Sequence, residues 1–291
     1  MPEPVITGVP DTAFMVAAWR ALESERPDAI FRDPYAARLS GERGHAIAER
    51  LRANRMGRWQ VTVRTVVIDE LLRASVDGGV QTVLNLGAGL DARPYRLAWP
   101  SSLRWIEVDF PQMIAWKEGI LRDDRPSCRL ERISLDLADR PARDRLLADV
   151  SASSAKTLVL TEGVIPYLTN DAVGALADDL HQVRGASWIV DYISPEAARF
   201  RRRLPVMQQM RAAPFLFDPG DWFAFFSAHG WQAAETRYLG PEGRRLGRAV
   251  PLPLWLRLLL RVRRLLAPRD QGGGFARSAG YVVLRPSEKQ V

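Results

Sequence analysis

The sequence predicts an α/β fold: a parallel sheet covered by helices on both faces, preceded by a block of helices. Three observations carry the expectation. Through the middle of the chain, short apolar runs alternate with helical patterns, the rhythm of successive βαβ units. A glycine turn, Gly87-Ala88-Gly89, follows directly on the first of those runs, where an open sheet lets a ligand approach the backbone. An acid, Asp109, closes the second run 20 residues after Gly89, the place from which a carboxylate accepts ribose hydroxyls.

The elements follow in order. Asp11 or Thr12 is the expected N-cap of a helix over Ala13–Glu23. Asp33-Pro34 signals a second start, with Pro34 in the first turn and Tyr35–Leu39 following. Val63, Val66, Val67, Leu71 and Leu72 fall at helical spacing within Val61–Ala74, which Gly78-Gly79 ends. Strands are expected at Thr82–Leu86, Arg104–Val108, Arg129–Ile133, Thr157–Leu160 and Ser187–Asp191. A helix over Asp221–His229 stops at Gly230, and two more strands are expected at Ala233–Leu239 and Gly280–Arg285. The expected organisation is one domain over residues 1–291. A helical cap spans 11–76, an α/β core spans 80–239 and 279–286, and a lid insert spans 240–278.

With 291 residues, 47% of them apolar, the chain can bury a full core and is not largely disordered. The formal charge is +7, and all 41 basic residues except Lys117, Lys156 and Lys289 are arginine. Acids are scattered among the arginines, which reads as a mixed, solvated surface from an arginine-rich genome. Nucleic acid is therefore not an expected partner. The single cysteine, Cys128, excludes an intramolecular disulfide and a cysteine metal cluster, and no metal is expected. The N-terminus lacks the apolar core of a secretory signal. No apolar run approaches the ~20 residues of a membrane span, so a cytoplasmic protein without stable membrane insertion is expected.

The pattern Gly-x-Gly-x-x-Ala, from Gly87 to Ala92, is shared by several nucleotide-binding families and is weak alone. Asp109 strengthens it, and Glu107 lies on the same side of the strand. One of the two acids is expected to bind a ribose and the other to support it. Asp91 sits in the turn, where it would repel a pyrophosphate. A sulfonium nucleoside has no phosphate and carries an ammonium that a carboxylate attracts. A nicotinamide-dependent reductase is the competing enzyme reading, and the chain lacks its Tyr-x-x-x-Lys pattern. A basic binding module is the non-enzymatic alternative, and its affinity would fall steeply with salt.

The run Asn85-Leu86-Gly87-Ala88-Gly89-Leu90-Asp91-Ala92-Arg93-Pro94-Tyr95-Arg96-Leu97 resembles the first motif of the leucine carboxyl methyltransferase-like family, which uses S-adenosylmethionine (SAM). Four further stretches agree in order: Phe31-Arg32-Asp33-Pro34-Tyr35-Ala36, Val63-Arg64-Thr65, Glu107-Val108-Asp109-Phe110-Pro111 and Thr161-Glu162-Gly163-Val164-Ile165-Pro166-Tyr167-Leu168. The match runs from about Phe14 to Gly230, and the motifs are specific together. Ala92 stands where the family often has Thr. The resemblance implies a class I SAM-dependent methyltransferase (Rossmann-like) fold. That fold has a mostly parallel seven-stranded sheet, a final antiparallel hairpin and an N-terminal helical cap. It implies that Arg64 binds the methionine carboxylate of SAM, that Gly87 and Gly89 allow close approach, and that Asp109 takes the ribose. It further implies that Asp136 and Leu137 read adenine and that Glu162 lies near the ammonium. Tyr167 is the candidate for orienting the acceptor. The family includes bacterial O-methyltransferases of polyketide and other natural-product pathways, so the expected function is O-methylation of a small natural product, on a carboxyl group of an apolar molecule, with a phenolic or other hydroxyl as the alternative.

A carboxylate acceptor, with a pKa near ~4, is ionised at neutral pH and needs no general base, whereas a phenol near ~10 gains from one. His45, His181 and His229 are the only histidines, and none lies in a family motif. His229 is expected at a helix end, His181 facing outward and His45 in a loop. Their placing favours a carboxylate. In Pro253–Leu266, Arg257, Arg261 and Arg264 share one helical face, as on a lid helix. Met207, Met210, Phe215, Phe217, Trp222, Phe223 and Phe226 precede it, fitting either an acceptor pocket or core.

Overall fold

The architecture is that of a computed structural model, which describes residues 6–202, 212–252 and 276–287. Three helices, α1 (Val9–Ser24), α2 (Ala36–Arg50) and α3 (Arg55–Asp77), precede the sheet. The strands are β1 (Thr82–Leu86), β2 (Arg104–Asp109), β3 (Arg129–Ser134), β4 (Thr157–Thr161), β5 (Ala186–Ile193), β6 (Trp231–Tyr238) and β7 (Ala279–Pro286). Between them lie α4 (Arg93–Arg96), α5 (Pro111–Leu121), α6 (Arg140–Ser153), α7 (Asn170–His181), α8 (Pro195–Arg202), α9 (Trp222–Ala228) and α10 (Leu239–Arg245).

The strands form one sheet in the order β3-β2-β1-β4-β5-β7-β6. The first five are mutually parallel, as the βαβ rhythm requires, and β7 runs antiparallel to both β5 and β6. Every residue of β1 and β4 is buried, as expected of central strands covered on two faces. Alternate side chains feed separate cores. Leu84, Val159 and Trp188 pack with Leu147, Leu176 and Trp222. Val83, Leu158 and Ile189 pack with Val63, Val67 and Leu71 of α3. A third cluster joins Phe14, Trp19 and Leu39 to Leu90 and Met113, seating α1 and α2 on the glycine turn.

Several local expectations change. Helix α1 starts at Val9 with Gly8 as N-cap, and Asp11 accepts from Thr7 N and Oγ1 at 2.7 Å each instead of capping a later start. Asp33 is buried and bonds Arg20 Nε at 2.9 Å, while Pro34 lies in the turn before α2. Helix α2 continues to Arg50 through a break at Gly41, whose φ is 53°. His45 is exposed on that helix and not in a loop. Gly44 packs against α1, where an added Cβ would lie 2.6 Å from Phe14 O. Asn54 caps α3 by accepting from Gly57 N at 2.9 Å. The strand expected over Ala233–Leu239 starts earlier, at Trp231, and Leu239 opens α10.

After β6 the chain turns back over the first helices. Arg237 and Arg245 both pair with Glu70 of α3 at 2.7 Å, Arg248 pairs with Glu23 of α1 at 3.0 Å, and Trp59 Nε1 donates to Arg248 O at 2.7 Å. The amphipathic run Pro253–Leu266, its arginines 257, 261 and 264, and Met207 and Met210 lie outside the described residues. Among the described residues no helix is long and apolar enough to cross a membrane.

Beneath the sheet edge, Lys117 of α5 and Glu107 of β2 are both fully buried and bond at 2.7 Å, and Arg132 Nε adds a second bond to Glu107 at 2.9 Å. Removing one partner of such a pair leaves a buried charge short of compensation. Lys117→Ala is expected to lower stability by roughly 3 kcal/mol, read as a reduced denaturation midpoint. An unchanged midpoint would show that Arg132 alone compensates Glu107.

Candidate active site

A cavity of about 790 Å³ opens at the carboxyl ends of the central strands, between the sheet and helices α1 and α3. This is the usual ligand crevice of an open α/β sheet. The glycine turn forms its floor. Gly87 N and Ala88 N donate to Val108 O at 2.8 and 3.0 Å, pinning the turn to β2. Gly87 has φ 67°, and an added Cβ would stand 2.4 Å from Val164 Cγ2. No other residue fits that conformation and space.

The turn also orients the acid on β2. Gly89 N donates to Asp109 Oδ2 at 2.6 Å and Phe110 N donates to Oδ1 at 2.7 Å. Each oxygen keeps a further lone pair, and Asp109 lines the cavity. Burial raises its pKa, against those two bonds. Glu107 is spent on Lys117 and Arg132 and does not line the cavity. Asp136 and Leu137, after β3, line the same cavity. Asp136 Oδ1 accepts from Ala138 N at 2.9 Å, and Arg143 holds the Leu137 carbonyl.

Behind the turn lies a charge cluster that motif reading did not foresee. Buried Arg93 reaches Asp69 of α3 at 2.6 Å, and Asp91 and Glu162 at 2.8 Å each. Arg93 N and Asn85 Nδ2 also donate to Asp91, at 2.9 and 3.0 Å. Burial disfavours the charged forms of Asp91 and Glu162. The guanidinium of Arg93 outweighs this and holds both below the usual carboxylate range, helped at Glu162 by Arg64. The charge of Asp91 is thus paired inward, which weakens the sequence argument that it repels a pyrophosphate. Arg64 Nε stands 2.9 Å from Glu162 Oε1, and its Nη groups carry no hydrogen bond among the described residues. Arg64 and Glu162 both line the cavity.

The far side of the cavity is apolar. Met15, Trp19, Met56, Trp59, Phe215 and Val250 line it. Tyr167 lies in a 3₁₀ turn after β4, lines the cavity and stacks on Phe215 at 5.1 Å between ring centres. Of the other aromatics before the insert, Phe217, Trp222 and Phe226 belong to the core, and Phe223 is partly exposed. Asp191, near the carboxyl end of β5, was not singled out from sequence. It is the first acid after an apolar run, at the same sheet end as Glu162, which is the signal that could have found it. Gly163 N donates to it at 3.0 Å and Tyr281 OH at 2.8 Å. Burial pushes its carboxyl up to about 6, against the charge of Arg64 and those two bonds.

No histidine lines this cavity. His229 Nδ1 lies 2.7 Å from Asp178 at the end of α9. His181 does not face outward but packs edge-on against Trp231, ring centres 5.7 Å apart.

Comparison with known proteins places the chain in a family. Residues 13–181 match the family model described as leucine carboxyl methyltransferase. A Streptomyces coelicolor protein, provisionally described as an S-adenosyl-L-methionine-dependent methyltransferase, is 33% identical over 239 residues, covering 78% of this chain and 84% of that one. Two solved structures share the fold. One is a DUF574 family protein from Streptomyces avermitilis, with TM-score 0.53, 14% identity and coverage of 93% of this chain and 96% of that one. The other, from Thermobifida fusca and provisionally described as a methyltransferase, has TM-score 0.52, 16% identity and coverage of 87% and 93%. The chain belongs to the leucine carboxyl methyltransferase family.

Proposed function

We propose that this chain, a SAM-dependent methyltransferase of that family, methylates an oxygen of a small apolar molecule, and that the oxygen belongs to a carboxylate. The observation that carries the donor site is Arg64: a cavity-lining guanidinium, paired on one side with Glu162 and without a hydrogen bond on its Nη groups among the described residues. A free α-carboxylate suits that fork. The other residues fit the rest of the donor. Gly87 and Gly89 leave room against the backbone, Asp109 has lone pairs for ribose hydroxyls, and Asp136 with Leu137 offers an acceptor and an apolar edge for adenine. Glu162, kept ionised by Arg93, supplies the charge that an ammonium requires. When bound, SAM supplies a methyl group already activated on a sulfonium, so the protein's part is chiefly alignment.

The acceptor reading rests on two features. Trp19, Trp59, Met56 and Phe215 also line the cavity, which suits an apolar molecule, and Tyr167 is the residue we assign to orienting it. No histidine lines the cavity, so an acceptor already ionised at neutral pH is favoured. One observation favours a hydroxyl acceptor instead: Asp191 lines the cavity and is a carboxyl able to accept a proton. The two readings differ in product. A methyl ester loses its labelled methyl group in mild alkali and a methyl ether keeps it. Mass spectrometry of an extract incubated with the protein and methyl-labelled SAM decides between them, and an alkali-stable product overturns the carboxylate reading.

Two binding predictions test the donor site. Arg64→Ala removes a bidentate, charge-assisted contact worth about 2 kcal/mol, so calorimetry should show SAM affinity falling by roughly 30-fold. Unchanged affinity removes Arg64 from the site. Gly87→Ala forces a strained φ and a Cβ into Val164, and is expected to abolish SAM binding while the far-UV circular dichroism stays that of the parent. Retained affinity would mean that the turn does not lie beneath the ligand.

A further inference from the structure

Asp191 stands where the two ends of the cleft meet. It lines the main cavity and also an adjoining space of about 90 Å³ shared with Gln60, Arg64, Phe215 and Tyr281. Its Oδ1 accepts from Tyr281 OH at 2.8 Å and Gly163 N at 3.2 Å, and its Oδ2 accepts only from Gly163 N, at 3.0 Å. The charged and titratable groups around it are Arg64 on α3, Glu162 after β4 and Tyr281 on β7, with Tyr167 close to Arg64. From α9, Trp222 Nε1 contacts only the Asp191 carbonyl, at 3.2 Å.

The charges around the acceptor do not balance if everything ionises. Arg93 is already shared among Asp69, Asp91 and Glu162. Arg96 also pairs with Asp69; Arg64 then faces both Glu162 and Asp191, and bound SAM adds a net positive charge, so the three arginines and SAM balance the four carboxylates. An acceptor carboxylate brings one more negative charge into the same buried space, where neighbouring carboxylates do not all stay ionised. Glu162 is held in its charged form by Arg93 and Arg64. Asp191 has no cation in direct contact among the described residues, and its carboxyl already lies at about 6.

We propose that Asp191 takes up a proton when the acceptor carboxylate binds and donates its O–H to the acceptor oxygen that is not methylated. This rests on the carboxylate reading above. The proton comes from water on binding and returns to water as the neutral ester leaves, so methyl transfer itself consumes none. A hydroxyl acceptor would require the opposite state, an ionised Asp191 that removes a proton. Asp191→Asn therefore separates the two, because an amide donates the same hydrogen bond as a protonated carboxyl and cannot act as a base.

The test is calorimetric binding of 2-naphthoate to the protein saturated with sinefungin, whose ammonium keeps the donor's charge. It is run at pH 7 in buffers of different ionisation enthalpy. The parent protein should take up about one proton per ligand bound. Asp191→Asn should take up none and bind within about threefold of the parent, since the hydrogen bond is kept. Binding without proton uptake, the same uptake in Asp191→Asn, or a loss beyond about tenfold in that variant overturns the inference and leaves the carboxylate reading standing. No binding of 2-naphthoate by the parent, with 2-naphthol binding in its place, overturns the carboxylate reading and this inference with it.

Discussion

Arg93 is the constraint on which the site depends. Its guanidinium is buried, and a buried cation is costly unless charges and hydrogen bonds surround it. The chain meets that demand from three places: Asp69 on α3, Asp91 in the glycine turn and Glu162 after β4. Those are three walls of one cleft, so satisfying a single side chain fixes their separation. Arg96 extends the network by pairing with Asp69 at 2.7 Å. From α1, Arg20 joins Asp33 at 2.9 Å and donates to Leu90 O at 2.6 Å. Helix α1 is thereby tied to the glycine turn.

The same network sets the charges at one end of the cleft. Arg93 keeps Glu162 ionised despite its burial, and Arg64 is held on one side while its Nη groups remain uncommitted among the described residues. Beside them, Asp191 has no cation in direct contact among the described residues, and burial pushes its carboxyl up to about 6. Two acids near the carboxyl ends of adjacent strands thus differ because their cations differ. That difference gives one a fixed charge and leaves the other able to exchange a proton.

Much of this was legible in the sequence, because it depends on short-range rules. The strands from Thr82 to Asp191 follow from alternating apolar runs, and the floor of the cleft from Gly87 and Gly89, whose backbone angles few other residues adopt. Arg64, Asp109, Asp136, Leu137, Glu162 and Tyr167, which the sequence motifs singled out, all line one cavity. What was not legible depends on partners far apart in sequence. Asp33 read as part of a helix start signal and is a buried ion partner. Glu107 and Asp109 were indistinguishable until Lys117 and Arg132 were seen to occupy the first. Arg93 read as part of a motif with no stated task, since its three carboxylates lie on separate elements. Asp191 was hidden in plain view as the last residue of an expected strand. The formal charge of +7 now has a structural account in part: many arginines are committed to named carboxylates, on the surface and within.

The central claim is that one cleft, organised by Arg93, holds the donor with its carboxylate on Arg64 and its ribose on Asp109. The most direct measurement is a crystal structure of the protein with S-adenosylhomocysteine. The account predicts the α-carboxylate on the Arg64 guanidinium, both ribose hydroxyls on Asp109 and adenine beside Asp136 and Leu137. A nucleoside bound in the reverse direction, or one that leaves Arg64 and Asp109 without contact, would contradict it.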